Sequence, residues 1–195
     1  YGVIKCLYDN NYINIQELES IHACSVGTMV SLLILLSDNL QDLEDYILKR
    51  PWEKIINVDS DNILNLWQDK GFLDDTIIYE IFKPFLEIKE LKQNVSLKEI
   101  YEKFNIELYF YTTNINSDIL ETVCLSYKTH PDLEILKAII MSSALPIIFK
   151  PIIYNEGCYI DGGILNNFPI KECMEINKDV NEILGIEIKS NKLDN

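Results

Sequence analysis

Residues 19–36 read ESIHACSVGTMVSLLILL, and the parsing of this stretch decides the fold. Residues 19–24 are short and mixed, the pattern of a strand. From Ser25 onward, Val26, Met29, Val30, Leu33, Ile34 and Leu36 cover most of a helical circumference, and a helix apolar on most sides is a buried one. A strand that runs directly into a buried helix is the repeating unit of α/β proteins. At the junction Ser25 lies between Ala23 and Gly27, two residues away on either side. A sharp strand-to-helix turn brings those two positions together, so both must be small. A serine there stands at a helix N-terminus, where free N–H groups and the helix dipole favour developing negative charge. The same residues also suit a plain serine N-cap on a buried helix.

A second informative stretch is IDGGILNNFPI, residues 160–170. Gly162 and Gly163 are two of only seven glycines in the chain. They permit positive φ or close backbone approach immediately after a strand. Asp161 is then held at the strand's C-terminal end, the edge at which open α/β sheets place their sites. The alternative is an Asp-Gly turn that only joins strand to loop. Just upstream, SSALPIIFKP (residues 142–151) closes a helix, and two prolines bracket an apolar turn.

Outward from these stretches, helices are expected at residues 1–9, 41–49 (stopped by Pro51), 74–86 and 132–142. A capping box of Ser96 and Glu99 opens another at 97–104. The β-branched and aromatic segments 106–113 and 119–127 read as strands, 152–160 as a hairpin around 155–157, and 183–188 as a last strand. Helices alternating with strands imply an α/β sheet covered on both faces. No linker or repeat divides the chain, so residues 1–195 are expected to form a single domain.

With 17 basic and 31 acidic residues, the formal charge is −14. That excludes a nucleic-acid binder, whose surface must be basic, and disfavours electrostatic adsorption to anionic lipid. At 195 residues the chain can bury about 70% of the surface its unfolded form exposes, so it needs no staple. Cys6, Cys24, Cys124, Cys158 and Cys173 form no CxxC pair and read as buried reduced thiols. With only His22 and His130, no metal site is expected. His22, three residues before Ser25, reads as structural, and so does His130. Cys24 precedes the turn's apex and should point away from it. The apolar run at 29–36 is far shorter than the ~20 residues of a membrane span, and no secretory leader is expected. The chain opens without a methionine, so a longer protein is expected to precede Tyr1.

In combination and in this order, the motifs resemble the patatin-like phospholipase family. The elbow is Ala23-Cys24-Ser25-Val26-Gly27. The aspartate motif is Asp161-Gly162-Gly163, followed by Asn166-Asn167-Phe168-Pro169. Ser142-Ser143-Ala144-Leu145-Pro146 matches a third family segment, Gly71-Phe72-Leu73-Asp74 a fourth, and Gly2-Val3-Ile4-Lys5 the helix after the family's glycine-rich loop. The resemblance implies a three-layer α/β/α sandwich around a central, mostly parallel sheet, here without its first strand. It also implies a Ser–Asp dyad with Ser25 as nucleophile and Asp161 as general base, and no cofactor or metal. The substrate class it implies is a phospholipid or acylglycerol ester, met by a cytoplasmic protein with peripheral membrane contact.

Two departures stand out. Ala23 replaces a glycine and is expected to carry some strain. The glycine-rich loop that supplies oxyanion donors has no counterpart here, which leaves the Val26 N–H as the remaining donor. That gap keeps open an inactive lipid- or partner-binding scaffold. Leu145, Ile147, Ile148, Phe149 and Phe168 lie near the motifs and are expected to be core rather than an acyl-chain groove.

Overall fold

The computed structural model describes residues 1–52, 75–177 and 179–188. The Gly71-Phe72-Leu73-Asp74 turn lies outside them. The described elements are α1 (Gly2–Asp9), β1 (Ser20–Cys24), α2 (Val26–Leu36), α3 (Leu40–Lys49), α4 (Thr76–Ile88), α5 (Leu97–Phe104), β2 (Glu107–Asn114), β3 (Glu121–Leu125), α6 (Ile135–Ser143), β4 (Ile152–Tyr154), β5 (Gly157–Asp161) and α7 (Ile170–Ile176). Local chemistry accounts for several boundaries. Ser96 and Glu99 form the expected reciprocal capping box on α5. Asn39 caps α3 by accepting the Gln41 N–H at 2.8 Å. Asn155 turns the β4–β5 hairpin with φ 50°, a left-handed conformation that asparagine tolerates.

Among the described strands the sheet is mixed. β1 and β2, joined through helices, are parallel. β3 returns antiparallel to β2 after a short loop, β5 is antiparallel to β2, and β4 to β5 across a two-residue turn. Short connections can only reverse the chain, so parallel pairing is confined to the helical crossover.

The register places the site. β1 pairs with residues 107–111 of β2, and β3 pairs with 110–114, so these two strands occupy opposite edges of β2. β5 pairs with 112–114, opposite β3 and therefore on the same edge as β1. Along that one edge β1 ends with Cys24 beside Tyr111, and β5, arriving from the other direction, ends with Asp161 beside Thr112. Two strand C-termini thus meet end to end at a seam between neighbouring residues of β2.

One face of the sheet carries Ala23, Leu108, Phe110 and Leu125, packed with α2, α4 and α6 in the main core. Phe82, Phe110, Leu32, Leu36 and Leu136 are fully buried there, each burial worth roughly 1.5–3 kcal/mol. The opposite face carries His22, Tyr109 and Tyr111, and α7 is tied to it where Asn177 Nδ2 donates to Ser20 Oγ at 3.1 Å. Helices thus lie on both sides of the sheet, α2, α4 and α6 against the core face and the short α7 reaching the other through Asn177.

The strand expected at 183–188 does not form; this segment is irregular and its Ile186 and Ile188 are exposed. Alternating apolar residues make a strand only where a neighbouring edge accepts its N–H and C=O groups. This segment's close approach is instead backbone to ring: a Cβ on Gly185 would lie 2.8 Å from the Phe168 ring.

Candidate active site

The elbow forms where β1 ends. Ser25 has φ 51° and ψ −130°, a conformation that costs a non-glycine residue about 1–3 kcal/mol and persists only where its surroundings impose it. Ser25 occupies the N-cap position of α2, yet its hydroxyl caps nothing in the helix. It donates instead to Asp161 Oδ2 at 2.5 Å, across 136 residues of sequence. The helix end is secured by Thr28, whose N–H and Oγ1 both donate to the Ser25 carbonyl, at 2.9 and 2.7 Å. Ala23 and Gly27 approach as the motif requires: a Cβ on Gly27 would meet Ala23 Cβ at 3.7 Å. The strain expected at Ala23 is absent, because its φ is not positive; the strained residue is Ser25 itself.

Asp161 is buried, 4% exposed, at the end of β5. Its Oδ1 accepts the Gly163 N–H at 2.7 Å, which leaves Oδ2 for Ser25. Neither glycine after it uses positive φ; their role is room. A Cβ on Gly162 would lie 2.2 Å from the Tyr111 carbonyl oxygen, and one on Gly163 would lie 2.9 Å from Asp161 Oδ1.

The other candidates stand apart from this pair. Burial, and then the charge of Asp161, push the Cys24 thiol up to about 12, so it stays protonated. His22 Nδ1 is 2.9 Å from the Tyr111 hydroxyl, and the ring stacks on Tyr109 at 4.5 Å between centroids. Burial lowers its pKa to about 4, against the smaller opposing pull of Glu172 and Glu107, so it is neutral near pH 7. His130 contacts Thr129 Oγ1 in the loop before α6. Among the described residues no group of three His, Cys, Asp or Glu side chains could hold a metal ion.

The segments beside the pair expose apolar side chains. Val26 is 58% and Ile147 73% exposed, and Leu145, Ile148, Ile164 and Leu165 are exposed as well. Phe149 and Phe168 are half-buried. The expectation of core positions therefore fails for Leu145, Ile147 and Ile148. Ile147 has φ 80°, an outlier for a β-branched residue, and its loop turns outward at Pro146 rather than into the sandwich. The sequence reading also missed the contacts of Ser142, whose Oγ accepts the Ser25 N–H at 3.0 Å and donates to the Tyr111 carbonyl at 2.6 Å. The available signal was a pair of buried serines, Ser142 and Ser143, in the last turn of a helix whose other buried residues are apolar.

A mixed sheet between helices, with a strained serine after its first strand facing an Asp-Gly-Gly turn, defines the class. The family model described as patatin-like phospholipase matches residues 1–174, and the chain belongs to that family. Among curated proteins, it is 30% identical over 163 residues to "Probable lipid hydrolase 463L" of Invertebrate iridescent virus 6, covering 81% of this chain and 54% of that protein. It is 23% identical over 185 residues to an uncharacterized protein of Acanthamoeba polyphaga mimivirus, covering 95% of this chain and 59% of that one. The chain thus spans rather more than half the length of these relatives. The crystal structure of VipD from Legionella pneumophila shares the fold, with a TM-score of 0.57 at 19% identity over 86% of this chain and 44% of that one. No helix among the described residues is long and apolar enough to cross a membrane.

Proposed function

We propose that the chain hydrolyses carboxylic esters of lipids, phospholipid or acylglycerol, with Ser25 as nucleophile and Asp161 as general base. The observation that carries this reading is the 2.5 Å hydrogen bond from Ser25 Oγ to Asp161 Oδ2 at the seam. Ser25 Oγ attacks the ester carbonyl carbon while its proton passes to Asp161. The C–O bond to the alcohol then breaks, and the departing oxygen takes that proton, leaving an acyl-Ser25. Water attacks the acyl carbon and gives a proton to Asp161, which returns it to Ser25 as the fatty acid leaves. Negative charge on the carbonyl oxygen is met by the Val26 N–H, one of the first groups of α2, which lack intrahelical acceptors. Gly27 and Ala23 keep the turn tight enough to aim it.

The apolar rim of Val26, Leu145, Ile147, Ile148, Ile164 and Leu165 meets the lipid surface. Residues 135–154, which include half of this rim, contain no acid in a chain that holds 31. The only charges in that stretch are the basic Lys137 and Lys150, so this half of the rim adds nothing to the repulsion that an acidic molecule feels at an anionic surface. The test is hydrolysis of a short-chain p-nitrophenyl ester and of phosphatidylcholine micelles by the full-length protein and its Ser25→Ala variant. Turnover that vanishes in Ser25→Ala is expected. Turnover absent from the parent, or unchanged in the variant, would overturn the reading in favour of an inactive scaffold.

A further inference from the structure

We infer that Ser142 is a positioning residue that holds Ser25 in its strained conformation and, with Ala144, sets the approach of Ser25 to Asp161; this rests on the dyad reading above. The argument begins at the seam. β1 and β5 stop against each other on one edge of β2, so the last residues of both strands need hydrogen-bond partners from outside the sheet. The C-terminal end of α6 supplies them. Ser142 Oγ accepts the Ser25 N–H at 3.0 Å, and two residues on the Ala144 carbonyl accepts the Asp161 N–H at 3.0 Å. Both members of the pair thus hang by their backbones from a single three-residue segment.

The direction of the Ser142 bonds is unambiguous. A backbone N–H only donates and a carbonyl only accepts, so the hydroxyl must accept from Ser25 and donate to Tyr111, which uses its one proton. Its rotor is locked, and Ser142 is fully buried, so no water competes. Fixing the Ser25 N–H fixes the peptide plane that sets the φ of 51°, while Thr28 holds the carbonyl on the other side of the same residue. Thr112 reinforces the segment from below, with Oγ1 2.8 Å from the Met141 carbonyl. The adjacent Ser143 is a matched contrast: it too is buried, but its hydroxyl has no partner among the described residues.

The experiment compares the full-length parent with Ser142→Ala, Ser142→Cys, Ser142→Thr, Ser143→Ala and Ser25→Ala on the p-nitrophenyl ester. Active sites are titrated with a fluorophosphonate, so that rates refer to reactive molecules and not to total protein. Ser142→Ala is expected to lower kcat about 10–100-fold per titrated site, since small misplacements of a reacting group have effects of that order. KM is expected to stay within about twofold, the pattern of a loss confined to the transition state. Thr, which keeps the hydroxyl, restores part of the rate, and Ser143→Ala behaves as the parent does. Should Ser142→Ala give too little folded protein, Ser142→Cys carries the same comparison, because a thiol fills the space while weakening both bonds. A kcat per titrated site unchanged in the Ala and Cys variants would overturn the inference and leave the dyad standing. Turnover in the parent that does not depend on Ser25 would instead sink the dyad reading and this inference with it.

Discussion

Two turns leave the same edge of β2, and they are built in opposite ways. The turn after β1 contains no glycine at its apex, yet its backbone enters a region that glycine favours, with Ser25 at φ 51°. The turn after β5 contains two glycines, yet neither has positive φ. The first stores strain in the residue that carries the hydroxyl. The second has no positive φ and uses its glycines for room, Gly162 against the Tyr111 carbonyl and Gly163 against the side-chain oxygens of Asp161 and Asn167. Glycine content is thus a poor guide to strain here. Strain sits where a side chain must be aimed, and glycine sits where a neighbour must come close to the backbone.

The largest effect should come from removing the proton acceptor without disturbing either turn. Asp161→Asn keeps the size of the side chain and an oxygen for the Gly163 N–H, but it cannot accept the Ser25 proton. Hydrolysis should fall about 10²–10⁴-fold, the scale that a positioned general base contributes, with little change in thermal midpoint. Esterase assays paired with melting curves read both quantities. A variant that kept a tenth of the parent rate would break the assignment of Asp161 as base.

Next in size is a test of room against conformation. Gly162→Ala would place a methyl 2.2 Å from a backbone oxygen that is fixed in the central strand. Overpacking of that kind costs about 3 kcal/mol, so the urea midpoint should fall markedly. If Gly162→Ala unfolded at the parent's midpoint, the claim that this glycine provides space would fail, and the contrast between the turns with it.

The elbow side also carries a pH dependence. The pKa of His22 is about 4 in the folded chain against 6.5 for the unperturbed group, mainly through burial. The unfolded chain therefore binds the extra proton first as pH falls. Stability from this group is complete above about pH 6.5 and declines between there and pH 4. The ring is only part-buried, so solvent screening limits the loss to about 2 kcal/mol. Urea unfolding at pH 7, 5.5 and 4.5 should show the decline in the parent and a flatter profile in His22→Asn. Equal slopes in both would place the acid sensitivity elsewhere.

What could be read in advance divides along the same line. The capping box of Ser96 and Glu99, the hairpin at Asn155 and the strand-to-helix junction at Ser25 depend on neighbours within a few residues, and all three form where the sequence pattern puts them. Residues 183–188 carry strand-like alternation but no strand, because pairing depends on an edge that local sequence does not describe. Leu145, Ile147 and Ile148 are as apolar as any core residue; only the outward turn of their loop exposes them. Ser25 and Asp161 were visible as motifs, whereas the seam that joins them arises from the registers of β1 and β5 on β2, a long-range property. Ser142 was visible as part of a motif and silent about its bonds for the same reason.

The smallest effect is the sharpest test of the strain at Ser25. Ser25→Ala and Ser25→Gly both delete the hydroxyl and leave Asp161 Oδ2 without that donor, so the cost of the lost bond cancels between them. What differs is the backbone. Alanine must be held at φ 51° against its own Cβ, whereas glycine reaches that conformation without penalty. Glycine also gains entropy when unfolded, which opposes the gain by a few tenths to 1 kcal/mol. Relief of about 1–3 kcal/mol of strain should outweigh it. Ser25→Gly is therefore expected to be the more stable of the two by about 1 kcal/mol, measured as a difference in urea midpoint at constant m-value. If alanine were the more stable, the elbow would not be strained, and holding its conformation would no longer require the partners that Ser142 and Thr28 provide.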